Sequence, residues 1–172
     1  AYIIGEFGFL GTPALASILE KVITEKEISG ALIWSLRYHR KDGGFYWHSE
    51  PLGGGIFKAY HWPGFPSGSE YDESNLLELM RNKAFQIQNK GIPELNAPNP
   101  PKLLPIKNVA DISWKGSTGA SDYDILRADE KDGPWKIISE NISDAGIQYY
   151  PLYHDETAQI GKKYYYKVIA KH

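Results

Sequence analysis

From Tyr2 to Phe7 (YIIGEF) the chain is almost continuously apolar, the pattern of a parallel strand covered on both faces rather than of a strand with one wet side. Thr12 and Pro13 follow, a capping hydroxyl and a first-turn proline, and predict a helix start. Leu15, Ile18, Leu19 and Val22 then fall at i, i+3, i+4 and i+7, so one helix face is apolar and needs a sheet beneath it. That helix is expected to end before Ile28. Gly30 to Leu36 (GALIWSL) is a second apolar run, and strand, helix, strand with short joints predicts a βαβ unit with parallel strands.

From Arg37 to about Tyr71 the periodicity stops. The stretch is rich in glycine and aromatics and reads as a long, ordered loop carrying YHRKDGGFYWHSEPLGGG and YHWPGFPSG, of the length that usually serves function. A further helix is expected from Asp72 or Ser74, with Leu76, Leu79, Met80, Phe85 and Ile87 as its apolar positions and Gly91 as its stop. GIPELNAPNPPKLLP is dense in proline and asparagine and marks a stiff linker over residues 92–101. Beyond it, short strand-like runs recur at Ala110–Trp114, Tyr123–Ala128, Trp135–Ser139, Gln148–Tyr153 and Tyr164–Ala170, separated by turns such as Lys131-Asp132-Gly133-Pro134. In the last run Tyr164, Tyr166, Val168 and Ala170 alternate with Lys167 and Lys171, as in an antiparallel strand with one solvated face. Residues 102–172 therefore read as an all-β sandwich.

Composition narrows the partners. With 42% hydrophobic and 23% charged residues among 172, the chain is globular; a formal net charge of -2 supplies no basic field for nucleic acid or an anionic membrane. No window offers the roughly 18 apolar residues of a membrane span. Cysteine is absent, which excludes disulfides, cysteine-zinc sites and thiol catalysis. The chain opens on Ala1 and moves directly into a strand, so the expectation is a portion of a longer protein.

The chemistry concentrates on IIGEFGFLGT, where Glu6 closes the first apolar run between Gly5 and Gly8. This stretch, with GALIWSL, GGFYWHSEP and YHWPGF, resembles the C-terminal end of a glycoside hydrolase family 5 barrel of the cellulase and mannanase type, the mannanase-like members in particular. The second half is similar to a fibronectin type III module, through Trp114, DYDILR and GKKYYYKVIA. The resemblance implies α/β plus all-β architecture: residues 1–91 as strands 7 and 8 of a (β/α)8 TIM barrel with their helices and long active-site loop, the linker, and a fibronectin type III-like β-sandwich lacking its final strand.

It also implies a retaining mechanism, in which two carboxylates about 5 Å apart flank the bond between sugars. Glu6 matches the nucleophile, and the end of a barrel strand is where barrel active sites are built. Trp34 matches the aromatic platform beneath the sugar that is cleaved, a flat apolar surface for axial C–H groups; a core tryptophan is the alternative reading. Arg37, His39, Trp47, His48 and Glu50 lie on the following loop, where each could contact hydroxyls or simply pack the loop; His39 and Trp47 are the leading substrate-binding candidates. The spacing of His39, His48 and Glu50 matches no common zinc arrangement, and neither metal nor other cofactor is expected. The family's acid/base comes from an Asn-Glu motif that this sequence does not contain, so the role does not pass to Glu50 and no hydrolysis is expected of these residues alone. The implied partners are a β-linked polysaccharide, most naturally β-mannan, and the remainder of the barrel, in a secreted, periplasmic or cell-surface setting. Two other readings stay open: a barrel that retains sugar affinity without catalysis, and a sandwich used for adhesion.

Overall fold

Strand β1 (Tyr2–Phe7) leads through helix α1 (Thr12–Thr24) to strand β2 (Ile28–Ile33), and the two strands pair in parallel, Tyr2 opposite Ile28 and Phe7 opposite Ile33. The computed structural model describes residues 1–49, 56–64, 72–145 and 151–172, with backbone alone at 47–49 and 56–58. These residues divide into two compact units, Ala1–Arg37 with Trp47–Leu95, and Tyr38–Tyr46 with Asn96–His172. The division after Leu95 falls inside the proline-rich stretch. Tyr38–Tyr46, which the sequence pattern leaves in the loop of the first half, groups with the second unit.

In the first unit, α1 starts where Pro13 predicts it, but the cap is Gly11, whose carbonyl accepts the Ala14 and Leu15 N–H groups. The Thr12 hydroxyl is used elsewhere: it donates to the Asp72 carboxylate at 2.5 Å. That ties the start of α1 to the start of helix α2 (Glu73–Ile87). Leu15 on α1 and Leu76 and Leu77 on α2 bury with Phe7 and Tyr60, and Ala31 and Ile33 of β2 pack against this cluster. Among the described residues the strand pair is not covered on both faces, contrary to the expectation from its apolar run: Tyr2, Ile3 and Leu32 are 59%, 60% and 61% exposed. Covering both faces of parallel strands takes a layer on each side, and among the described residues the helices form only one. Where the sequence predicts loop, two short strands, β3 (Trp47–Ser49) and β4 (Ile56–Lys58), pair antiparallel with Trp47 opposite Lys58.

The second unit is built of strands: β5 (Lys102–Leu103), β6 (Asp111–Ile112), β7 (Trp114–Lys115), β8 (Asp122–Ala128), β9 (Lys136–Ile142), β10 (Tyr153–His154) and β11 (Tyr165–Lys171). One sheet runs β11-β8-β9, all antiparallel; β5 pairs with β7 and β10 with β6. Side chains from both groups meet in one core, Ile112 and Trp114 from β6 and β7 against Tyr123 and Ile125 from β8, with Ala120 and Leu152. The predicted alternation in the last strand is present, Tyr166, Val168 and Ala170 packing inward while Lys167 is exposed. Among the described residues the sheets are small and none closes into a barrel.

Candidate functional site

Because β1 and β2 run parallel, their C-terminal ends emerge at one edge, and the residues there are Glu6 on β1 and Trp34 immediately after β2. Phe7 and Ile33 pack against the helix side, whereas Glu6, in the irregular stretch of β1 between Ile4 and Phe7, is exposed and Trp34 is 37% exposed.

The backbone around this edge is tightly held. The Trp34 N–H donates to the Phe7 carbonyl at 2.7 Å, and the next peptide, Trp34–Ser35, is cis. Behind Glu6, a Cβ on Gly8 would press into the Trp34 carbonyl oxygen and lie 3.2 Å from the Tyr60 ring, so only glycine fits. Phe9 then adopts a left-handed conformation at φ 52°, which costs an L-residue about 1–2 kcal/mol. Two contacts with Tyr60 offset that cost. The Phe9 N–H donates to the phenol oxygen at 2.6 Å, and the two rings stack with centroids 5.2 Å apart. Burial pushes the Tyr60 phenol up to about 12, the Phe9 N–H pulling the other way and the Glu73 carboxylate adding to the rise, so the group is neutral throughout the physiological range.

A second set of contacts fixes the chain beyond Trp34. The Arg37 N–H donates to the Tyr60 carbonyl at 2.7 Å, and the buried His61 ring Nδ1 lies 3.0 Å from the Arg37 carbonyl oxygen. The His61 N–H in turn donates to the carboxylate of Glu73 at 2.5 Å, and Glu73 is fully buried at the start of α2. Tyr60, His61 and Glu73 thus support both ends of the site. The sequence carries only a weak signal for them: Tyr60 and His61 lie in an aromatic loop without period, and Glu73 reads as an ordinary first-turn acid.

Of the sequence candidates, Glu6 and Trp34 are brought to one edge. His39 lies in the second unit, 3% exposed, with its Nε2 3.5 Å from Asp144 Oδ2 and its ring 4.4 Å from Phe45. Gly116 closes over this pair and the Tyr123 hydroxyl, where a Cβ would collide with all three. Trp47 and His48 are described by backbone alone, on β3, and Glu50 lies outside the described residues. Among the described residues no cluster of three His, Asp or Glu stands close enough to hold a metal ion, and no helix is long and apolar enough to cross a membrane.

Glu6 and Trp34 are thus a carboxylate and an indole exposed at the same end of a parallel strand pair, groups whose chemistry is respectively nucleophilic and suited to an apolar ring face. Compared with family models, with curated proteins and with solved structures, the chain matches none.

Proposed function

We propose that this chain supplies the nucleophile and sugar platform of a retaining β-glycosidase acting on β-linked polysaccharide, most naturally β-mannan. In this reading residues 1–91 are the last two strand–helix units of a (β/α)8 barrel, and residues 102–172 are a fibronectin type III-like spacer or docking sandwich. Glu6 attacks the anomeric carbon to form a glycosyl-enzyme ester, while an acid/base carboxylate from outside these 172 residues protonates the leaving oxygen and then activates water. Trp34 carries the ring that is cleaved. A polymeric substrate places the enzyme outside the cytoplasmic membrane.

The observation that carries the reading is the position of Glu6 and Trp34 at the C-terminal ends of adjacent parallel strands, both exposed. That is the end of parallel strands at which α/β active sites form. His39, buried beside Asp144, is left out of the proposed contact set.

The test is turnover on mannan and glucan by the protein carrying the whole barrel, with and without Glu6→Gln. The amide keeps the shape of the side chain but cannot form the ester, so turnover is expected to fall by about three orders of magnitude or more with binding nearly unchanged. Turnover within a few-fold of the parent would remove Glu6 from the nucleophile's role.

A further inference from the structure

We infer that residues 96–172 anchor the loop that leaves the Trp34 edge: they take the hairpin Tyr38–Tyr46 into their own core, and this capture, rather than the proline-rich linker, ties the second unit to the first half of the chain. The second unit thereby gains a function that a spacer lacks, holding this loop in place, and the inference stands whether or not Glu6 is a nucleophile.

The segment closes on itself as a tight hairpin. His39 pairs with Phe45 in an antiparallel bridge, the Arg40 N–H donates to the Gly44 carbonyl at 3.0 Å, and the Gly43 N–H donates to the Arg40 carbonyl at 3.2 Å. The turn needs positive φ at Gly43 and Gly44, 103° and 63°, which glycine adopts without strain. Its side chains then sort by face: His39 and Phe45 are buried, while Tyr38 and Tyr46 are exposed and meet edge to face. The buried pair belongs to the second unit. His39 Nε2 reaches the fully buried Asp144, and the missing side chain at Gly116 leaves room for the approach. A carboxylate shut away from water is costly unless a polar group meets it, so residues 96–172 without the hairpin would keep a buried acid whose counterpart is gone.

Both ends of the hairpin are fixed in the first unit. On one side Arg37 is held by its N–H on the Tyr60 carbonyl, by its Nε on the buried Ser35 hydroxyl at 3.0 Å, and by its guanidinium over the Trp34 ring, 5.7 Å from the centroid. On the other side Trp47 opens β3, which pairs with β4. The chain therefore passes between the units after Arg37, after Tyr46 and again after Leu95. A proline-rich linker alone is one semi-rigid tether. Two further passages, with a buried hairpin between them, make the linker dispensable for holding the two units together.

The experiment builds a specific protease site into residues 96–99 of the full chain, cuts the folded protein there, and follows the two pieces by size exclusion on dilution. The pieces are expected to stay together. Phe45→Ala empties a buried position on the hairpin without touching residues 96–172 and should weaken their affinity by about a hundredfold or more. Tyr38→Ala, on the exposed face, should change it by a few-fold at most. His39→Ala and Asp144→Ala should each weaken it, and the double variant by less than the product of the two, because one pair can be broken only once. A synthetic peptide of residues 37–47 should compete with the first piece for the second, a measure that needs no variant to fold. Separation of the parent pieces on cutting, equal retention by parent and Phe45→Ala, or a peptide that does not compete would overturn the inference. Independent losses at His39 and Asp144 would remove that pair from it.

Discussion

At Gly8 a single hydrogen atom decides whether the candidate site exists. The Trp34 carbonyl occupies the space a side chain would need, and Phe9 next to it is held left-handed by the Tyr60 hydroxyl. Gly8→Ala is therefore expected to destabilise the fold by about 1–3 kcal/mol, the usual cost of forcing atoms into filled space. Gly5→Ala is the control, since nothing lies within 4 Å of a Cβ there. Denaturant midpoints of the two variants would test this; equal shifts would count against the close approach. The place of Glu6 at the end of β1 follows from the apolar run it closes. Tyr60 and Glu73 were not legible in the sequence, because their roles depend on contacts with Phe9 and His61, 51 and 12 residues away in the chain.

At the scale of elements, the end of α2 shows how a helix stop can be read one turn too late. Gly91 is the glycine the sequence offers, but the helix ends at Ile87 and Asn89 takes the left-handed position, at φ 51°. The Asn89 N–H donates to the Gln86 carbonyl and the Lys90 N–H to the Phe85 carbonyl, which satisfies two orphan acceptors. Asn89→Ala should cost about 1 kcal/mol, while Asn89→Gly should cost nothing or stabilise. Thermal unfolding of both variants checks the pair, and equal losses would argue that Asn89 acts through its side chain instead. The order β1, α1, β2 was readable because apolar spacing reports directly which face of an element is covered. The pairing of β3 with β4 was not, since three-residue strands are too short to display a period.

At the scale of the molecule, the second unit depends on carboxylates held by hydrogen bonds and ion pairs, of which Asp155 is buried, and acid should expose that dependence. Burial alone would raise the Asp155 carboxyl, but hydrogen bonds from Thr157, Tyr166 and Arg127 outweigh it and hold it below the usual range. The His154 ring lowers Asp111; at Asp124 burial is outweighed by Lys171, and that carboxyl too is lowered. A carboxyl held lower in the fold than in the open chain binds fewer protons when folded. Its contribution is thus present above the unfolded value, near 4, and is lost as pH falls through the folded value. The midpoint of thermal unfolding should drop as pH is lowered below about 4. Asp155→Asn should cost about 1.5–3 kcal/mol at pH 7 and approach the parent in acid. A constant gap between the two at all pH values would remove Asp155 from this account.

Spacing along the chain specified the local elements: two apolar runs joined by an amphipathic helix, a proline-rich stretch over residues 92–101, and a strand-rich second half. Those features follow from spacing, which a chain carries at every point. Only the tertiary structure decided that Tyr38–Tyr46 belongs with the second unit, that His39 is buried against Asp144, and that Arg37 is fixed beside Trp34. Each of these depends on groups distant in sequence or on the path of an aperiodic loop. Packing assigns such residues their neighbours, and no local pattern records it.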